Sequence, residues 1–130
     1  MKPAAYLLTR LAIGATLFFH GFVRVPKINA FVQGTVESFE KSILPAALVQ
    51  PFGYLIVFVE VLAGFLLLIG LFTRQAAFAA GLLMVMLITG TCLIENWGAL
   101  PSQLIHIAFL IVLIQFEEAN TFSVDQKRNA

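Results

Sequence analysis

The stretch FGYLIVFVEVLAGFLLLIGLF, residues 52–72, decides the fold. It is long enough to cross the hydrocarbon core of a bilayer, which takes about 20 mostly apolar residues. Glu60 is the one charged side chain in it. A soluble core rarely accepts a lone carboxylate. A central Asp, Lys or Arg costs a membrane helix about 2.5–3.5 kcal/mol, offset by roughly 0.3–0.6 kcal/mol for each Leu, Ile, Phe or Val. With Glu60 priced comparably, the aliphatic neighbours let the segment insert in spite of it, and they do not explain it. Ionisable residues inside a membrane face the bundle interior, pair with one another, or mark a pathway or site.

The rest of the chain agrees with this stretch. Of 130 residues, 60% are hydrophobic and 12% are charged, against about 25% charged in a soluble domain. Mean hydropathy is +0.94. The composition describes an all-α integral membrane protein, one domain over residues 1–130, in contact with the lipid bilayer. Net charge is +1. The absence of a Lys/Arg cluster argues against nucleic acid as a partner. Cys92 is the single cysteine, which excludes an internal disulfide, a CxxC redox pair and a cysteine-rich metal site. The first twenty residues lack an A-x-A-like cleavage site and carry Arg10 late, so they read as an uncleaved first span.

Hydropathy marks four spans, at about residues 5–23, 52–72, 76–94 and 100–116. Thr73, Arg74 and Gln75 alone separate the second from the third, which forces a tight antiparallel hairpin. Tyr6, Tyr54 and Trp97 fall near predicted interfaces, where rings with a polar tip are favoured. Four spans place both termini on one side. Lys2, Arg10, Arg74, Lys127 and Arg128 lie on that side, against Arg24, Lys27 and Lys41 opposite, a bias toward cytoplasmic termini.

The long connection, residues 24–51, carries Ile28, Val32, Val36, Phe39 and Ile43 on one helical face. This spacing predicts an interfacial amphipathic helix, ended by Pro45 and Pro51. It serves as a cap on the four-helix bundle or as a lid over a site. The polar segment 117–130 is expected to fray.

Facing and depth bring particular residues together. Arg10, Gly14, Leu17, Gly21 and Arg24 share one stripe of the first span, and Gly53, Val57, Glu60, Gly64 and Leu67 share one of the second. Ala77, Gly81, Met84, Ile88 and Cys92 form a similar stripe on the third. Small residues there permit close helix contact, so Gly14, Gly21, Gly64 and Gly81 are expected packing positions. At about 1.5 Å per residue, Glu60 lies roughly 12 Å, His106 roughly 9 Å and His20 roughly 5 Å below the outer boundary. Three titratable groups from three helices thus fall in the outer half of one bundle. The bland alternative makes Glu60 a hydrogen-bond partner for Arg10, Arg24 or a histidine. Contacts of that kind average about 0.6 kcal/mol, a poor reason to bury a carboxylate. His20 and His106 together have the ligand chemistry for a metal or a haem, although no motif points to one. Cys92, Met84 and Met86 read as core.

Arg10-x3-Gly14, His20-Gly21-x2-Arg24, Glu60-x3-Gly64 and Gly70-Leu71-Phe72-Thr73-Arg74 together resemble the DoxX family of small four-helix membrane proteins, over residues 7–116. Arg24 stands where that family more often has lysine. The resemblance implies a four-helix bundle in a bacterial plasma membrane, near quinone or redox chemistry. A quinone site needs an apolar cleft and a proton donor or acceptor at the ring carbonyl. Glu60 would handle protons there, His20 and His106 would line the pocket, and Arg10 and Arg24 would tune the carboxylate. The competing reading is a non-catalytic accessory or assembly subunit, joined to other membrane subunits or to copies of itself.

Overall fold

The computed structural model describes residues 1–129, and Ala130 lies outside the described residues. The chain is helical throughout: α1 Pro3–Phe22, α2 Ile28–Ser38, α3 Ala46–Ile69, α4 Thr73–Leu93, α5 Leu100–Gln115 and a short α6 Val124–Asn129. Four of its helical segments are long and apolar enough to cross a membrane. Leu8, Phe58, Leu62, Phe78 and Ile105 point outward and are more than half exposed. A water-soluble monomer rarely carries so much contiguous apolar surface. Lipid is the solvent of this face, and the protein is a multi-pass membrane protein.

α1 packs against α3, α3 against α4, α4 against α5, and α5 closes back on α1. Leu17, Leu67, Leu83, Leu110 and Leu113 meet at the centre, all fully buried. The α1–α3 seam is the closest approach. A Cβ on Gly14 would lie 3.1 Å from Leu67 Cβ, and one on Gly21 would lie 3.0 Å from the Val57 carbonyl. At Gly64 a Cβ would run into the Phe18 backbone. Without a hydrophobic drive between helices in lipid, such backbone contact is what holds them.

Gly81 is not a packing residue: nothing lies within 4 Å of where its Cβ would be. The buried face of α4 is Ala76, Ala77, Ala80, Leu83 and Met84, turned slightly from the expected stripe. Tyr6 lies in the first turns of α1 and turns its ring inward. It is 1% exposed, and its hydroxyl donates to the Leu113 carbonyl at 2.9 Å, one of the last four of α5 with no partner inside the helix. Tyr54 donates instead to Asn29 Oδ1 at 2.7 Å, tying α3 to α2.

The predicted helix in the long loop exists, but ends at Ser38. Ile43 lies beyond it and is 85% exposed. α3 begins at Ala46 and runs through Pro51, so Pro51 interrupts no helix. It withholds one hydrogen bond from the Ala47 carbonyl near the helix start. Val32 seats α2 on α3, its Cγ2 3.2 Å from where a Cβ on Gly53 would be.

The segment after α5 does not fray; it docks on the α3–α4 turn. Gly70, at φ 72°, ends α3 in the left-handed conformation that glycine tolerates. Phe72 also has φ 49°, a strained choice for a bulky residue. The Asp125 carboxylate holds it there. Asp125 Oδ1 accepts from the Phe72 N–H at 2.7 Å and Oδ2 from the Thr73 N–H at 2.8 Å, capping α4 from another part of the chain. Ser123 Oγ accepts from the Gln126 N–H at 3.1 Å, half of a capping box for α6. Partial burial pushes the Asp125 carboxyl up, but the hydrogen bonds from Thr73 and Phe72 and the charge of Arg128 outweigh it, and its pKa is lowered. A lowered folded-state pKa adds stability above the unfolded value, about 3.9, and the gain is lost as pH falls through the folded value. The protection of the Phe72 and Thr73 amides, as exchange rate relative to the free-peptide rate at the same pH, should therefore be high at neutral pH and fall below about pH 4. Asp125→Asn should show low protection at both; a variant as protected as wild type at neutral pH would show that the cap is not what holds the turn.

Candidate functional site

The end of the bundle that carries α2 holds a cleft of about 560 Å³ among α1, α2, α3, α4 and α5. The helical stripes of α1 and α3 bring the same residues into it that their spacing predicts. Arg24, just past α1, donates from Nη1 to Glu60 Oε2 at 2.9 Å. Glu60 is 5% exposed, and among the described residues its Oε1 makes no hydrogen bond. The Arg24 guanidinium also lies 4.4 Å from the centre of the Phe31 ring on α2, a cation–π contact. α2 thus lays an aromatic face against the Arg24 side of the ion pair.

His20 and His106 meet edge to face, with ring centroids 6.0 Å apart. His20 Nδ1 lies 2.7 Å from the Thr16 carbonyl and His106 Nδ1 lies 2.6 Å from the Ser102 carbonyl. A carbonyl only accepts, so each Nδ1 carries its proton. Each neutral imidazole is left with Nε2 as a free acceptor, and each becomes a donor there on protonation. Both rings line the cleft with Glu60.

Gln103, one turn before His106 on α5, is a site residue that the sequence reading missed. Its Nε2 donates to Thr91 Oγ1 at 2.8 Å, while its Oε1 is buried without a partner. Its signal was available: a polar residue three before a histidine shares its helical face. Ile56, Met84 and Leu87 supply apolar wall to the same cleft. The space therefore combines an apolar wall with a few convergent polar groups, the usual make-up of a small-molecule site.

Arg10 is not part of this cleft. It is 2% exposed at the opposite end of α1, where Nη2 donates to the Phe122 carbonyl at 2.7 Å. Its Nε and Nη1 are buried without partners. The guanidinium presses on Gly70, where a Cβ would collide with Nη1. Arg10 therefore anchors the docked segment, and Arg24 alone pairs with Glu60. Among the described residues no group of three or more His, Cys, Asp and Glu side chains is placed to hold a metal ion; Cys92 is a partly buried free thiol.

Comparison with protein-family models matches residues 5–95 to the family described as DoxX. That span contains all four of the quoted motifs and stops short of α5, so Gln103 and His106 enter the site on geometry alone. Comparisons with curated proteins and with solved structures found no match.

Proposed function

We propose, from the premise that this chain belongs to the DoxX family, that it is a redox-linked membrane subunit binding a quinone or a similar lipophilic molecule in the α2-covered cleft. One observation carries the reading. Four polar atoms without protein partners, Glu60 Oε1, Gln103 Oε1 and Nε2 of His20 and His106, converge on a space with an apolar wall.

These groups fit a dihydroxy or dicarbonyl ring in both of its states. A hydroxylated ring donates, and the ionised carboxylate, the amide oxygen and the neutral imidazoles accept. A ring with carbonyls accepts, and an imidazolium donates from Nε2. The bound molecule supplies the two-electron, two-proton chemistry. The chain positions the ring oxygens, keeps water out under α2 and Phe31, and holds or releases protons at Glu60 Oε1 and the two Nε2 atoms. Arg24 keeps the carboxylate oriented. α2 lies at the membrane surface as the lid, the side with α2 faces outward, and the membrane is a bacterial plasma membrane.

A second reading has its own support: the Glu60–Arg24 pair bridges the tightly packed α1 and α3. In that reading the polar cluster is a lock in an accessory subunit, within a larger membrane complex or a homo-oligomer. A metal ion held by His20 and His106 is the least supported, because among the described residues no group of three or more ligating side chains forms, and no sequence motif points to a haem between them. Gentle extraction followed by native mass spectrometry separates these. The expected result is a co-purifying isoprenoid quinone, lost on Glu60→Gln. A retained protein partner with no small molecule would overturn the ligand reading in favour of the lock.

A further inference from the structure

Phe39, the residue just past α2, touches two spaces. On one side it lines the polar cleft; on the other it lines a groove of about 320 Å³ between the start of α3 and the outer face of α4. That groove is apolar almost throughout, walled by Leu48, Phe52, Val85, Met86 and Leu93. Its outer wall is the lipid-facing surface, since Leu48, Val85 and Met86 are each well exposed. Gly90 gives Phe39 its seat: a Cβ there would lie 2.9 Å from the tip of the ring. Gly90 itself is buried on α4 while Leu87, one turn earlier, faces the polar cleft. One aromatic ring resting on one glycine thus separates a polar chamber from an apolar trough open to the bilayer.

We infer that the groove is the exit for an apolar chain attached to the ring held in the cleft, with Phe39 as the gate between the two. The inference rests on the ligand reading above and narrows it. The ligand is a polar head on a long apolar tail that enters sideways from the membrane, past Phe39, rather than a small solute arriving from water. Chain and lipid are alike in polarity, so the groove adds little affinity of its own. What it provides is room. A head seated in the cleft with its tail in the bilayer needs this passage, and a head without a tail does not.

Two variants block the groove from its lipid side, Thr89→Trp and Met86→Trp. Thr89 and Met86 line the groove and not the cleft. The full chain, in nanodiscs of one lipid composition, is titrated with 2,3-dimethoxy-5-methyl-1,4-benzoquinone, which has no chain, and with its decyl-substituted counterpart. Comparing each variant with wild type in the same discs cancels partitioning into lipid. The decyl probe is expected to weaken about tenfold in both variants, the scale of forcing an apolar group into occupied space, while the chainless probe stays within about twofold. Undiminished decyl binding in both variants would overturn the exit and leave the cleft as a ligand site. Equal losses for both probes would also overturn it, since the groove would then act on the head and not the chain. If neither probe binds wild type, the quinone reading falls and the exit with it.

Discussion

On the proposed function, Glu60→Gln is expected to lower quinone-dependent turnover in native membranes by at least about a hundredfold, the usual worth of a positioned acid–base group, while the helices and the cleft stay in place. Glutamine keeps the shape and one acceptor oxygen for Arg24 Nη1, now 2.9 Å from Glu60 Oε2, but it has no proton to give or take. The structural cost is small for two reasons. Removing one partner of a fully buried pair costs about 3–5 kcal/mol, but the Arg24 side chain is 27% exposed and can turn toward the opening. Its stacking on Phe31 also survives the change. The expected loss of stability is about 0.6 kcal/mol, the average for polar contacts between membrane helices. Turnover and thermal stability measured on the same preparations decide the matter. Wild-type turnover, or a stability loss large enough to account for the whole effect, would make Glu60 a lock and favour the accessory-subunit reading.

Gly64→Val should have a comparably large effect without touching any polar group. A Cβ at Gly64 would lie 2.6 Å from Phe18 Cα and 2.8 Å from Phe18 Cβ, with the Phe18 backbone nitrogen nearer still. Backbone cannot yield as a flexible side chain can, so α1 and α3 must part. Overpacking of this kind costs about 1–3 kcal/mol and occasionally more. Parting the seam also pulls Gly21 from Val57 and Val61, and it draws Arg24 away from Glu60. Little monodisperse protein is expected after extraction, and no quinone-dependent turnover. Gly81→Ala is the control: open space surrounds Gly81, and the change should gain roughly 0.5–1 kcal/mol by removing glycine from a helix interior. Equal yields and melting temperatures for the two variants would show that the seam does not govern the fold.

The difference between those two glycines also shows what the sequence could display. In α1 and α3 the glycines recur with the charged residues at helical spacing, so polarity and size mark the same face, and Arg24 and Glu60 were correctly placed on it. Between residues 76 and 88 α4 is apolar on every side. Hydrophobicity there has no contrast from face to face, and spacing alone points Gly81 inward. The paired histidines were legible because depth follows from a constant rise per residue. Gln103 was not singled out, although it shares the face of His106. The docking of residues 120–125 was illegible for a different reason. Apart from Asn120 Nδ2, which donates to Thr73 Oγ1 at 3.0 Å, its bonds involve main-chain groups, the Phe122 and Gly70 carbonyls and the Phe72 and Thr73 N–H groups, and no side-chain pattern reports a free backbone group. Arg10 had the right depth but a choice of partners, and the nearer one was a carbonyl.

The cap that Asp125 places on α4 has a consequence for biosynthesis. Asp125 and Thr73 are 52 residues apart in the chain. When the α3–α4 hairpin leaves the ribosome, the first turn of α4 has no cap, and Phe72 has nothing to hold its left-handed backbone. Arg10, already in the membrane, has no acceptor from residue 122. Until that last stretch is translated, a nascent chain displays a frayed turn and an unmatched buried cation.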